Sequence, residues 1–133
     1  MIAILNVRET SYTPQAGAGQ APRPSIPILM VSGRLDASTV NILERSLLRT
    51  QLTGAKVIII DMGEVTYISS SGLRVLLTAR RQARERGGDV VLCSLSPNVR
   101  DVLNMVGFTV LFRIFGTLED AKQSAEHIDT PQS

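Results

Sequence analysis

Side chains able to do chemistry are few in this sequence, and the densest group is a run of hydroxyls. Ser69, Ser70 and Ser71 stand in a row ahead of Gly72, between the apolar run VIIID and a stretch of apolar and basic residues at helical spacing. A serine ahead of a helix accepts the free N–H groups of the first turn, so capping accounts for one of them. Three leave hydroxyls over, and the mouth of a helix is a favourable place for a phosphate. Two acidic residues also stand out by position. Asp36 follows one apolar run and Asp61 ends another, where α/β sheets place ligand and contact residues. Each equally suits bracing or capping a turn.

No enzyme constellation accompanies the serines. There is one histidine, His127, near the C-terminus, and no general base within sequence reach of Ser69–Ser71. The G-x-S-x-G elbow of serine hydrolases is absent. So are the glycine-rich fingerprints for dinucleotides and for nucleotide phosphates. One Cys and one His cannot furnish a transition-metal site. A phospho-receiver domain would need an acidic pair after the first strand and a lysine after the last. Here Glu9 stands alone and Gly116-Thr117 follows the last strand.

Bulk composition points the same way. The 133 residues, 44% hydrophobic and 20% charged, fit one domain with a real core. Net charge is only +2, and the 14 cations, nearly all arginine, are scattered rather than clustered. Nucleic-acid binding by counterion release needs a cluster, so no nucleic-acid partner is expected. With no Trp, three Phe and two Tyr, a stacking platform for bases is not expected either. Cys93, inside VVLC, reads as a buried and inert thiol. No apolar run approaches a membrane span. The start, MIAILNVRET, has neither the basic front nor the cleavage site of a signal peptide. The expectation is a cytoplasmic protein without membrane partner, metal or cofactor.

Hydrophobic periodicity gives the elements that would position the serines. Ile2–Arg8 reads as a strand, followed by a Pro-, Gly- and Gln-rich loop over 9–26 without period, about 18 residues long. Ile28–Ser32 reads as the second strand. Val40, Leu43, Leu47 and Leu48 recur at helical spacing up to Gly54, with Ser38 or Asp36 as the cap. Lys56–Asp61 is an apolar, β-branched run that suits a covered strand. Leu73, Leu76, Leu77 and Ala83 mark a helix from Ser71 to Arg86. Asp89–Leu95 is a strand, and Ser96-Pro97 opens a helix that Gly107 ends. Val110–Phe115 is the last strand. Thr117, with Asp120 three residues on, caps a helix running to about His127, and a disordered tail follows over 128–133. The order β-β-α-β-α-β-α-β-α predicts an α/β domain over 1–127 with a mostly parallel, mixed sheet.

The segment DMGEVTYISSSGLRVLL resembles the signature of anti-sigma factor antagonists, bacterial members of the STAS domain family. GRLD at 33–36, GGDVVLCSLSPNVRDVLNMVG at 87–107 and FRIFGTLEDA at 112–121 are similar to further family segments, in the right order. The resemblance spans roughly residues 27–125. It implies the STAS fold: a five-stranded, mostly parallel mixed sheet with about four helices mainly on one side. It also implies partner switching. The unphosphorylated domain would bind an anti-sigma factor that is a serine kinase of the histidine-kinase-like ATPase fold, freeing that kinase's client. Phosphorylation would end the complex, and a serine phosphatase would reset it. Carried onto this sequence, the phosphorylated serine is Ser70, with Ser69 and Ser71 as alternatives. Ser69 stands where family members often carry Asp. Asp36, Ser69, Ser71, Gly72 and Arg74 would belong to the partner surface, and Asn98–Gly107 would line it. Arg74 would brace the phosphate, touch the partner or simply face solvent. The competing reading is a STAS scaffold or transport-associated module that binds without phosphorylation.

Overall fold

The computed structural model describes residues 4–129. Five strands, β1 (Leu5–Tyr12), β2 (Ile26–Leu35), β3 (Val57–Ile68), β4 (Asp89–Cys93) and β5 (Arg113–Phe115), form one sheet in sequence order. β1 and β2 pair antiparallel, and all other neighbours pair parallel. Between them come α1 (Val40–Leu52), α2 (Ser70–Glu85), α3 (Pro97–Met105) and the single turn α4 (Phe108–Leu111), and α5 (Leu118–Asp129) follows β5.

This order dictates the layers. Right-handed crossovers between strands laid side by side in sequence put every connecting helix on the same face. Alternate strand residues then face two cores. Leu29, Val31, Ile58, Ile60, Val90 and Leu92 meet Leu43 and Leu47 of α1, Leu76, Ala79 and Ala83 of α2, and Val99 and Leu103 of α3. Ile28, Val57, Ile59, Val91 and Cys93 face the other way, where α5 is the one covering helix among the described residues, through Ala121 and Ala125. The VIII run is fully buried because both faces are covered.

Several boundaries differ from the sequence reading, each for a local reason. β1 continues through Glu9–Tyr12, residues placed above in the loop, because their backbone pairs with Ile26–Leu29. The Ile2 end of the predicted strand lies outside the described residues. β3 does not stop at Asp61. It leaves β4 there and runs on to Ile68 beside β2 alone, after a bulge that shifts the register from Met30↔Asp61 to Ser32↔Glu64. The bulge breaks the apolar alternation, which is why the periodicity ended early. β4 ends at Cys93, where Ser94 takes φ 66° and turns the chain out. Val110–Leu111 are helical rather than extended, since Phe108 and Phe112 pack one turn apart with centroids 5.3 Å away. Leu77 lies on the outer face of α2, and Ala79 takes its place in the core. α5 carries Ile128 and Asp129, which the sequence reading assigned to the tail; residues 130–133 lie outside the described residues.

Candidate functional site

The serine run sits where three constraints meet. β2 and β3 end in register, Leu35 opposite Ile68, so Asp36 and Ser69 emerge side by side from the sheet's carboxyl edge. The Ser69 N–H donates to the Leu35 carbonyl at 2.9 Å and fastens the start of α2 to the end of β2. Gly72 lets the helix approach this closely: a Cβ there would lie 2.8 Å from Leu35 Cγ and 2.9 Å from Ile68 Cγ1.

The three hydroxyls are not equivalent. Ser69 is the cap residue, with extended backbone, and its Oγ accepts from the Gly72 N–H at 3.4 Å. Ser70 is the first helical residue and is exposed. Among the described residues its hydroxyl makes no hydrogen bond. Ser71 is half-buried and Gly72 buried. Arg74, one turn beyond Ser70, is exposed and has no ion pair among the described residues. Of the predicted partner-surface residues, Asp36, Ser69, Ser71 and Arg74 therefore reach the surface. Gly72 works from below, by packing.

Asp36 does not cap α1, and neither does Ser38. Thr39 holds the cap position without a capping bond, and its hydroxyl donates to the Arg34 carbonyl at 2.7 Å. Asp36 Oδ1 instead accepts from the Ser38 hydroxyl at 2.7 Å and the Ser38 N–H at 3.0 Å. The Ser38 hydroxyl, above all, holds the Asp36 carboxyl below its ordinary value, and Arg34 adds to this from 3.8 Å. The result is a charged, rigid turn beside Ser69.

Two sets of contacts beside the serine turn were not foreseen from the sequence, although it had placed Asn98–Gly107 near the partner surface. The Arg34 guanidinium stacks over the Tyr67 ring, 4.1 Å from its centroid, on adjacent positions of β2 and β3. Asn98 Nδ2 donates to the Thr66 carbonyl at 3.1 Å and Ser96 Oγ to the Val65 carbonyl at 3.3 Å, so the start of α3 is pinned beside the serine turn. The signal available was Tyr67, one of two tyrosines, two residues before the serines. The other candidates are structural. Asp61 Oδ1 accepts from the Gly63 N–H at 2.9 Å and braces the β3 bulge. Burial pushes the Cys93 thiol up to about 11. No group of His, Cys, Asp and Glu among the described residues could hold a metal ion. No helix among them is long and apolar enough to cross a membrane.

The chain is 35% identical over 94 residues to BtrV of Bordetella bronchiseptica, described as an anti-sigma factor antagonist, covering 71% of this chain and 81% of that one. The crystal structure of an anti-sigma factor antagonist from Mycobacterium paratuberculosis superposes with TM-score 0.70 at 21% identity, over 90% and 95% of the two chains. The phosphorylated form of the Bacillus cell-fate determinant SpoIIAA superposes with TM-score 0.60 at 19% identity, over 86% and 98%. The STAS domain model matches residues 21–121, most of the chain, and on that match the protein belongs to the STAS domain family.

Proposed function

We propose that this protein is an anti-sigma factor antagonist working by partner switching, with Ser70 as the modified residue. The observation that carries the reading is the division of labour in the serine run. Ser69 is engaged as the helix cap and Ser71 is half-buried, while Ser70 presents a free hydroxyl on a rigid element. The unphosphorylated domain would bind an anti-sigma factor that is also a serine kinase of the histidine-kinase-like ATPase fold. Asp36, Ser69, Ser71 and Arg74 form the contact surface around Ser70, and Gly72 holds it in place. The kinase brings the ATP and the base, so the domain needs neither. A serine phosphatase would reverse the reaction. All of these partners work in the cytoplasm.

The energetics separate the two states without a change of fold. Phosphorylation adds about −1.5 to −2 charges at neutral pH. At the first residue of α2 that charge meets free N–H groups and the positive end of the helix dipole, so the domain itself tolerates it. In the complex, the same dianion must be desolvated against a surface fitted to a hydroxyl. A penalty of about 3–4 kcal/mol weakens binding a few hundred-fold.

The test is titration of the purified kinase partner with wild type and Ser70→Asp, alongside thermal melts. The expected outcome is loss of affinity by about a hundred-fold or more with a melting temperature within a few degrees of wild type. Equal affinity in the two proteins would remove Ser70 from the switch.

A further inference from the structure

Helices α1 and α2 run side by side and leave a groove between them of about 650 Å³. Its floor is apolar, from Leu47, Leu48, Val75 and Ala79. Leu48 is 55% exposed and presents its side chain to the groove. Arg45 on the α1 wall and Arg74 on the α2 wall line it, and neither has an ion pair among the described residues. Glu44 is the one acidic lining residue. On α2, Arg81 is a further exposed arginine without an ion pair among the described residues, whereas Arg80 lies over the Phe112 ring and Arg84 pairs with Asp89.

The groove also has a direction. At its far end Gln51 Nε2 donates to Gln82 Oε1 at 2.9 Å, and Arg86 donates to the Gln51 and Ala55 carbonyls, both at 3.3 Å, so the helices are tied together there. At its near end lie Asn41 and Arg74. Arg74 is one helical turn from Ser70, and Asn41 follows the Asp36–Thr39 turn. The groove therefore opens directly onto the switch surface, and one occupant can cover both.

We infer that this groove receives an acidic, amphipathic segment of the same partner that contacts Ser70. The inference rests on the proposed switching function. Apolar residues of the segment lie on Leu48 and Val75, and its carboxylates reach Arg45 and Arg74. Open along one side, the groove would leave a small ligand half solvated, whereas a chain segment continuing from the Ser70 contact seals it. The two contacts then divide the work. The Arg45 and Leu48 side of the groove supplies affinity away from Ser70, Arg74 is shared by both contacts, and the Ser70 surface supplies the switch.

The experiment compares Arg45→Glu, Leu48→Glu and Ser70→Asp in full-length chain. Each is titrated against candidate anti-sigma factor kinases of the source organism, purified one at a time, with melts to confirm folding. A photo-crosslinking residue at Thr78 in the groove, and another at Ala37 beside the switch turn, report which kinase segments lie at each place. The expected result is a loss of about tenfold or more for each groove variant, with wild-type binding weakened by salt. Thr78 is expected to capture an acidic, apolar segment. If Ser70→Asp abolishes binding while Arg45→Glu and Leu48→Glu bind as wild type, the groove inference is overturned and the switch stands. Capture of a basic segment at Thr78, or crosslinking at Ala37 alone, overturns it likewise. If no candidate kinase binds, or Ser70→Asp binds normally, the switching function falls and the groove inference with it.

Discussion

Ser69, Ser70 and Ser71 carry one side chain in three settings, and the settings separate structural from functional use. The Ser69 hydroxyl caps α2 through the Gly72 N–H, so Ser69→Ala is expected to lower stability by about 1 kcal/mol in urea denaturation. Ser70→Ala removes an exposed hydroxyl with no partner among the described residues, and its denaturation midpoint is expected to match wild type. A larger loss in Ser70→Ala than in Ser69→Ala would reverse the assignment of cap and target. Asp36 adds a pH signature. Its carboxyl is held below the ordinary value of 3.8, chiefly by the Ser38 hydroxyl. A depressed carboxyl stabilises the fold above its unfolded value, and the contribution is lost as pH falls through the folded value. Asp36→Asn is thus expected to be less stable than wild type at neutral pH. The gap should close below about pH 4, and melts across the acid range would show it. A gap that is constant with pH would mean that the Asp36 charge is not what holds the turn.

At the scale of elements, the site depends on how tightly α2 seats on the ends of β2 and β3. Gly72→Ala places a methyl against Leu35 and Ile68, inside a sealed contact. It is expected to cost about 1–3 kcal/mol in equilibrium denaturation and to weaken partner binding as the serine turn shifts. The sequence already held much of this arrangement. KVIIID, Ser96-Pro97 and the Thr117–Asp120 spacing are local signals, and β3, the cap of α3 and the cap of α5 follow from them. What it did not hold are features set by long-range pairing. The continuation of β3 through Glu64–Ile68 exists because β2 lies beside it, and the bulge at Asp61–Glu64 hides its alternation. The same holds for β1, whose Glu9–Tyr12 half is polar and becomes a strand only by pairing with β2. The Glu9–Arg49 ion pair, 2.6 Å between Oε2 and Nη2, then ties that half to α1. At the site, the serine run was legible because three adjacent serines before a glycine are conspicuous, and Ser70 within it was singled out only by the family resemblance. The Arg34–Tyr67 stack and the Asn98 anchor were not, since each joins residues far apart in the chain.

At the scale of the whole molecule, the two faces of the sheet are covered differently. α1, α2 and α3 share one side of the sheet and gather the Ser70 turn, the Asp36 turn and the α1–α2 groove there. α5 covers the other side with small residues, and its surface carries Glu119, Asp120 and Glu126, opposite in sign to the arginines of α2. A phosphate on Ser70, as proposed, would lie at the surface, away from the two cores that hold the sheet. The central claim is that Ser70 is the residue a kinase modifies. The most direct measurement is intact mass with site mapping, after incubating the purified protein with Mg-ATP and a lysate of its own organism that contains an active control kinase. The account predicts a single phosphate, on Ser70. A phosphate on Ser69 or Ser71, or none while the control is modified, would contradict it.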